Sequence, residues 1–285
     1  MSFNMEIYKI ETGNLMIDGG AMFGVVPKSL WEEKYPANEK NLCNLSMRSL
    51  LIVTEGRKIL IDTGVGNKQD EKFFGYYYLN GNHSLKGSLK QTGSTPDDIT
   101  DVILTHLHFD HCGGAVEYNE NNELKPAFKN ARYWISSQQW EWANNPNHRE
   151  KASFLKENFI PIKESGQLEI IDSDFELVPG IELRLYDGHT EGQIIPFIRY
   201  NNKTIVYVAD LIPTSAHIPL SWICGFDAKP LVSLEEKKEF LEKALEKGYT
   251  LFFEHDINVE CCSLKMTEKG IRVGNIYKLE DFLSN

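Results

Sequence analysis

No stretch of this 285-residue sequence approaches the roughly 20 apolar residues that a membrane-spanning helix requires. The first six residues, Met1 to Glu6, lack the basic start and apolar run of a secretory leader. These absences point to a cytoplasmic protein with no membrane partner. Cysteine is scarce and poorly placed for cross-links. There are five, Cys43, Cys112, Cys224, Cys261 and Cys262, and no C-x-x-C spacing occurs. That pattern fits reduced thiols and excludes a disulfide framework. Positive charge is also in deficit, with 30 Lys and Arg against 41 Asp and Glu and a formal net charge of -11. Nucleic acid binding needs a basic face, so it is not expected. The balance favours a small-molecule substrate that is neutral or apolar. No linker, low-complexity tract, charge block or clear repeat interrupts the chain. With 41% hydrophobic residues, residues 1–285 are expected to form a single domain.

Histidine, by contrast, is concentrated. Thr105-His106-Leu107-His108-Phe109-Asp110-His111-Cys112-Gly113-Gly114 holds three of the eight histidines and one carboxylate. It follows Asp101-Val102-Ile103-Leu104, a short apolar run that reads as a buried strand. A strand that ends in such groups and then Gly-Gly describes a metal-binding loop. Neutral imidazole and carboxylate are ligands that zinc, iron and manganese accept, and the glycines let the backbone turn sharply. Cys112 is expected as a small buried filler.

The rest of the chain supplies alternating strands and helices. Residues 6–11, 45–54 and 58–61 read as strands, the last two joined by a turn at 55–57. The latter strand ends in Ile61-Asp62-Thr63-Gly64, where Asp62 either caps the turn or orients a ligand imidazole. Glycines within 16–27 are expected to break any regular element. Met22, Phe23 and Trp31 there either plug the core edge or wall a substrate pocket. The aromatic stretch 67–87 reads as a short helix and a loop over the site, with His83 at the surface. Ser137 is expected to cap a helix through Trp142. Residues 148–159 read as an amphipathic helix with Phe154, Leu155 and Phe159 on one face. Strands are expected at 168–171, 181–186, 193–199, 204–209 and 250–253. A helix opening at Ser233-Leu234-Glu235-Glu236 should run to about Lys247 and stop at Gly248.

Four strand ends thus carry metal-competent side chains: the histidine loop, His189, Asp210 and His255. The set His106, His108, Asp110, His111, His189, Asp210 and His255 is too large for one four-coordinate zinc and suits two metals. A carboxylate bridges two cations where a neutral imidazole does not, so Asp210 is the natural bridge.

The order His106-x-His108-x-Asp110-His111, Gly188-His189-Thr190, Asp210, His255, preceded by Ile61-Asp62-Thr63-Gly64, resembles the metallo-β-lactamase superfamily from about Leu45 to His255. The resemblance implies a four-layer αββα sandwich, an α/β fold. It implies that His106, His108 and His189 bind the first metal, that Asp110, His111 and His255 bind the second, and that Asp210 joins them. Asp62 would orient the loop. The cofactors would be two divalent ions, zinc first with manganese or iron as alternatives, and a homodimer is the candidate assembly.

Asp at 210, where many dizinc β-lactamases have Cys, is similar to the lactonase, glyoxalase and phosphodiesterase branches. Met22-Phe23-Gly24-Val25-Val26-Pro27 with Trp31, and residues 209–217, look like the quorum-quenching lactonases and related organophosphate hydrolases. The implied function is hydrolysis of lactones or related carboxylic esters, N-acyl-homoserine lactones among them, by a metal-bridging hydroxide. Asp110 would orient the nucleophile and pass its proton on. The alternatives are phosphodiester or phosphotriester hydrolysis, a di-iron redox protein, or a non-catalytic metal-stabilised binding module. One departure stands out: lactonases of the group carry a Tyr at the position of Pro213. His217 is the candidate replacement in the pocket.

Overall fold

The computed structural model describes residues 5–284. Residues 1–4, on which part of the leader expectation rests, lie outside the described residues. The chain organises into two compact units, one comprising residues 5–14, 47–175 and 192–194, the other residues 15–46, 176–191 and 195–284.

In the first unit, the apolar runs anticipated from sequence pair into a sheet. Leu42–Thr54 and Arg57–Ile61 form an antiparallel hairpin. Glu55 and Gly56 both take positive φ (48° and 78°), the geometry a tight two-residue hairpin turn requires. Arg57–Ile61, Asp101–Ile103, Arg132–Ser136 and Leu168–Ile171 then pair in parallel. Met5–Asp18 completes the six-stranded order at the opposite edge, a longer strand than residues 6–11 suggest. Asp101–Ile103 is buried throughout, as an inner parallel strand must be. Asp101 is held by Arg57, Thr100 and Trp134, so the strand starts on a paired carboxylate and ends on the histidine loop.

Two helices differ from expectation. Ser136, not Ser137, caps Ser137–Asn144 by accepting from the Gln139 N–H at 3.0 Å. Residues 148–159 are not a helix. The Asn147 side chain accepts from the amides of Arg149 and Glu150, which diverts the chain into a turn. A 3-10 turn at Lys156–Asn158 and a short helix at Ile160–Glu164 follow. Phe154 and Phe159 are still buried, so the apolar spacing reported burial and not helicity.

The second unit is built on a seven-stranded sheet. Its order is Gly270–Tyr277, Cys261–Thr267, Thr250–Phe252, Lys203–Tyr207, Gln193–Tyr200, Ile181–Tyr186, Phe175–Val178. The 261–277 hairpin carries no clear sequence signal, because only Cys261 and Cys262 are buried along it and Met266 and Ile276 are exposed. Helix Pro230–Lys247 starts a turn before Ser233, with Pro230 in the first position, and ends at Gly248 in the left-handed region (φ 66°). Glycines 19 and 20 do not break regular structure; they open a short helix, Gly19–Phe23, capped by Asp18. Gly19 is needed there because a Cβ would sit 2.3 Å from the Trp31 ring.

Lys237 is buried on helix Pro230–Lys247, and its ammonium donates to the carbonyls of His217, Pro219 and Trp222 at 3.0, 3.2 and 2.8 Å. Burial pulls its pKa down to about 7, while three carbonyl acceptors call for three protons. This one side chain therefore fastens the loop at 215–222 to the helix. Lys237→Met keeps the stem and removes the donor. It should cost on the order of 3 kcal/mol, seen as a lowered urea midpoint; an unchanged midpoint would show that the carbonyls find other donors.

Candidate metal centre

In the first unit the histidine loop is fixed from beneath by the neighbouring strand end. Asp62 follows Arg57–Ile61 with a left-handed backbone (φ 56°). One carboxylate oxygen accepts from the Thr105 N–H at 2.8 Å. The other accepts from the Thr105 hydroxyl at 2.6 Å and faces His111 Nδ1 at 3.1 Å. The Thr63 amide and hydroxyl both donate to the His111 carbonyl. Gly113 and Gly114 act through close approach rather than through the sharp turn expected of them: added Cβ atoms would lie 2.1 Å from the Val65 carbonyl oxygen and 2.3 Å from that of Thr63. Cys112 is buried, its thiol facing the Leu107 carbonyl, and burial pushes its pKa up to about 12. This is an inert filler.

His106 places Nδ1 3.1 Å from the Thr105 hydroxyl and Nε2 3.0 Å from His108 Nδ1. His108 turns its other nitrogen toward Glu150, 3.6 Å away. Glu150 is set by Trp142 Nε1 at 2.9 Å and Asn147 Nδ2 at 2.5 Å. Sequence reasoning missed Glu150 because it placed residues 148–159 on a helix. Phe109 packs with Phe73 and Tyr77 at ring separations of 5.3 and 4.5 Å, so part of the 67–87 stretch lies against the loop. His83 and His148 are exposed.

In the second unit Asp210 lies in a 3-10 turn, Ala209–Leu211, following strand Lys203–Tyr207. Ala209 is held in the left-handed region (φ 40°), a strain that persists where surroundings over-determine it. One Asp210 oxygen faces His189 Nε2 and the other faces His255 Nε2, each at 3.1 Å. His189 Nδ1 meets Asp227 at 2.9 Å, and His255 Nδ1 meets the Ser46 carbonyl at 2.9 Å. Asp227 carried no sequence signal, lying 38 residues from the histidine it holds.

Donor atoms gather within each unit: His106, His108, Asp110 and His111 are buried together in the first, and His189, Asp210 and His255 in the second. The imidazoles follow one rule. Each turns one nitrogen to an anchor (Thr105, Glu150, Asp62, Asp227 or the Ser46 carbonyl) and the other to the donor group. A histidine that donates Nδ1–H to a carbonyl presents a lone pair at Nε2. His255 therefore directs a lone pair at a carboxylate oxygen 3.1 Å away, a repulsive contact unless a proton or cation intervenes. His189 shows the same demand. Burial disfavours its charge, but the Asp210 and Asp227 carboxylates prevail and raise its pKa to about 10. The donor set is thus built around positive charge, and anchored imidazoles are how proteins orient metal ligands. Asp227→Ala should weaken zinc binding about 10- to 100-fold in a chelator competition, with activity recovered at high zinc; unchanged affinity would remove Asp227 from the site.

Met22, Phe23 and His217 pack on one another in the second unit. All three are buried. Phe23 stacks between Trp31 and His217 at ring separations of 5.0 and 4.5 Å. His217 meets the Thr214 hydroxyl through Nδ1 at 2.8 Å and the Met22 carbonyl through Nε2 at 3.0 Å. With both nitrogens committed, His217 has no polar atom left to stand in for the Tyr absent at Pro213. Burial lowers its pKa from 6.5 to about 4. The unfolded chain takes up this proton below 6.5, the folded chain only near 4. The stabilisation is therefore complete above about pH 6.5 and falls away as the pH drops toward 4, by on the order of 3 kcal/mol. His217→Phe should flatten that part of the stability–pH curve; an identical acid limb would contradict the burial.

The profile of the Metallo-beta-lactamase superfamily matches residues 48–255. The chain belongs to this superfamily. The αββα sandwich expected from the sequence is therefore its fold class. An N-acyl homoserine lactonase of Bacillus thuringiensis is 27% identical over 270 residues, covering 90% of this chain and 94% of that protein. The crystal structure of a probable metal-dependent hydrolase from Staphylococcus aureus is 31% identical with a TM-score of 0.88, covering 98% and 99% of the two chains. AidC, a dizinc quorum-quenching lactonase in complex with a product, aligns over 96% of this chain and 97% of its own at a TM-score of 0.78 and 22% identity. The chain is a metal-dependent hydrolase whose histidine and carboxylate donors suit two divalent ions. No helix among the described residues is long and apolar enough to cross a membrane.

Proposed function

We propose that this protein hydrolyses lactones of the N-acyl homoserine type, with zinc as the metal. The observation that carries the proposal is Asp210, which presents one oxygen to His189 and the other to His255 within the buried donor groups. A carboxylate placed in this way could be shared by two cations. His106, His108 and His189 would hold one ion, Asp110, His111 and His255 the other, and Asp210 both. In this proposal residues 1–285 work as a single cytoplasmic hydrolase domain, with a homodimer as its assembly.

Two ions held there would supply polarisation of an ester carbonyl and a water whose pKa is lowered toward about 7. The protein's own contribution is orientation and proton transfer. Asp62, Asp227, Glu150 and the Ser46 carbonyl fix the imidazoles. Asp110, at the start of the short helix Phe109–Cys112, accepts a proton and returns it to the departing alkoxide. The aromatic group of Phe73, Tyr77 and Phe109 gives an apolar surface beside Asp110, suited to an acyl chain. The substrate class is supported by the similarity of nearly the whole chain to N-acyl homoserine lactonases. Comparing kcat/KM for N-hexanoyl homoserine lactone, an aryl ester and a phosphotriester on zinc-loaded protein tests it. The lactone should lead by roughly tenfold or more, about 1.4 kcal/mol; a phosphotriester lead would replace the proposal with its main alternative.

A further inference from the structure

A cavity lies wholly within the second unit and is lined by none of the candidate metal-binding residues. Its volume is about 450 Å³, inside the range of about 300–1,000 Å³ typical of small-molecule sites. The loop at 218–221, the helix Pro230–Lys247 and the turn of the 261–277 hairpin enclose it. Ile218, Leu234, Leu241, Met266 and Ile271 make the walls apolar. Leu220 and Met266 remain 37% and 64% exposed, so the apolar surface continues to the mouth.

The rim carries the opposite charge to the rest of the chain. Lys238, Lys269 and Arg272 line the cavity, with Glu242 as its sole acid. None of the three cations forms an ion pair with an acidic group among the described residues, and the Arg272 guanidinium donates to the neighbouring Ile271 carbonyl. In a protein of formal net charge -11, three cations around an apolar cavity are a local reversal. An apolar pocket with a few converging charged groups selects a ligand with a greasy body and a charged head. Exposed cations attract anions, and acyl carbon beneath them gains by burial.

We infer that this cavity binds an amphipathic carboxylate, its acyl chain against Ile218, Leu241 and Ile271 and its carboxylate at Lys238, Lys269 and Arg272. Two sources share that chemistry, a medium-chain fatty acid and a ring-opened N-acyl amino acid. The site does not depend on the lactonase proposal, because no residue of that proposal lines it. The loop Ile218–Ser221 is the one that Lys237 fastens, so an occupant would rest on a segment already tied to the helix.

Calorimetric titration of the zinc-loaded protein with octanoate, N-octanoyl homoserine and octanol tests the inference. Octanoate or N-octanoyl homoserine should bind at least about tenfold more tightly than octanol, and the tighter of the two names the source. In the K269E/R272E double variant this binding should fall by about tenfold or more while turnover is unchanged. M266E, on an exposed wall, should weaken it likewise. Equal binding of octanoate and octanol, no binding of any of the three, or binding that survives K269E/R272E would each overturn the assignment, the last by placing the carboxylate at the metals. Normal turnover in both variants separates a failed pocket from a misfolded protein.

Discussion

Asp210→Ala is expected to lose turnover by roughly 10³-fold or more and to retain fewer than two zinc equivalents after dialysis. The reason is geometric. Both carboxylate oxygens are engaged, each 3.1 Å from a different imidazole, so no single neighbour can replace both. Alanine leaves His189 and His255 facing a gap, and His189 loses one of the two carboxylates that raise its pKa. Its protonation should fall toward the ordinary imidazole range, observable by NMR on the metal-free protein as a downward shift of the His189 titration. Asp210→Asn would be milder, because one oxygen acceptor survives. Turnover undiminished in Asp210→Ala would show that the cations, if two are bound, are not joined through this residue.

Asp110→Asn separates chemistry from binding. Asp110 is buried and lies 3.9 Å from His111 Nε2, on the same short helix that carries His111. The amide keeps the shape and one acceptor oxygen and removes the group that accepts and returns a proton. Turnover should fall by about 10²- to 10⁴-fold, a far larger loss than that of zinc content, with KM little changed. A parallel loss of zinc and turnover would reduce Asp110 to a ligand.

Much of this site could be read from the chain because its donors sit at strand ends, and strand ends follow from apolar runs. Asp101–Ile103 and Lys203–Tyr207 are short, apolar and bounded by polar residues, so the side chains that follow them stand out. Of the anchors, Asp62 stood out at a strand end, but Asp227 and Glu150 did not. Asp227 holds His189 from 38 residues away, and Glu150 reaches His108 from a turn whose apolar spacing imitates a helix. Backbone conformation was hidden as well: nothing in the letters of Asp62 or Ala209 announces positive φ, which tertiary contacts impose. His217 is a related case. Its position seven residues past Asp210 suggested a pocket, whereas its two hydrogen bonds and the stacked Phe23 ring commit it to the interior. The 261–277 hairpin is hard to read because only Cys261 and Cys262 are buried along it, and its exposed positions mix Lys265 and Asn275 with Met266 and Ile276, so no clean alternation marks it.

The most direct measurement is a zinc titration of metal-free protein with the initial rate of N-hexanoyl homoserine lactone hydrolysis recorded at each addition. The expected result is a rate that is negligible without metal, rises with zinc and reaches its plateau at two equivalents per chain. A plateau at one equivalent, or full hydrolysis in the presence of chelator and no zinc, would contradict a dinuclear site joined by Asp210.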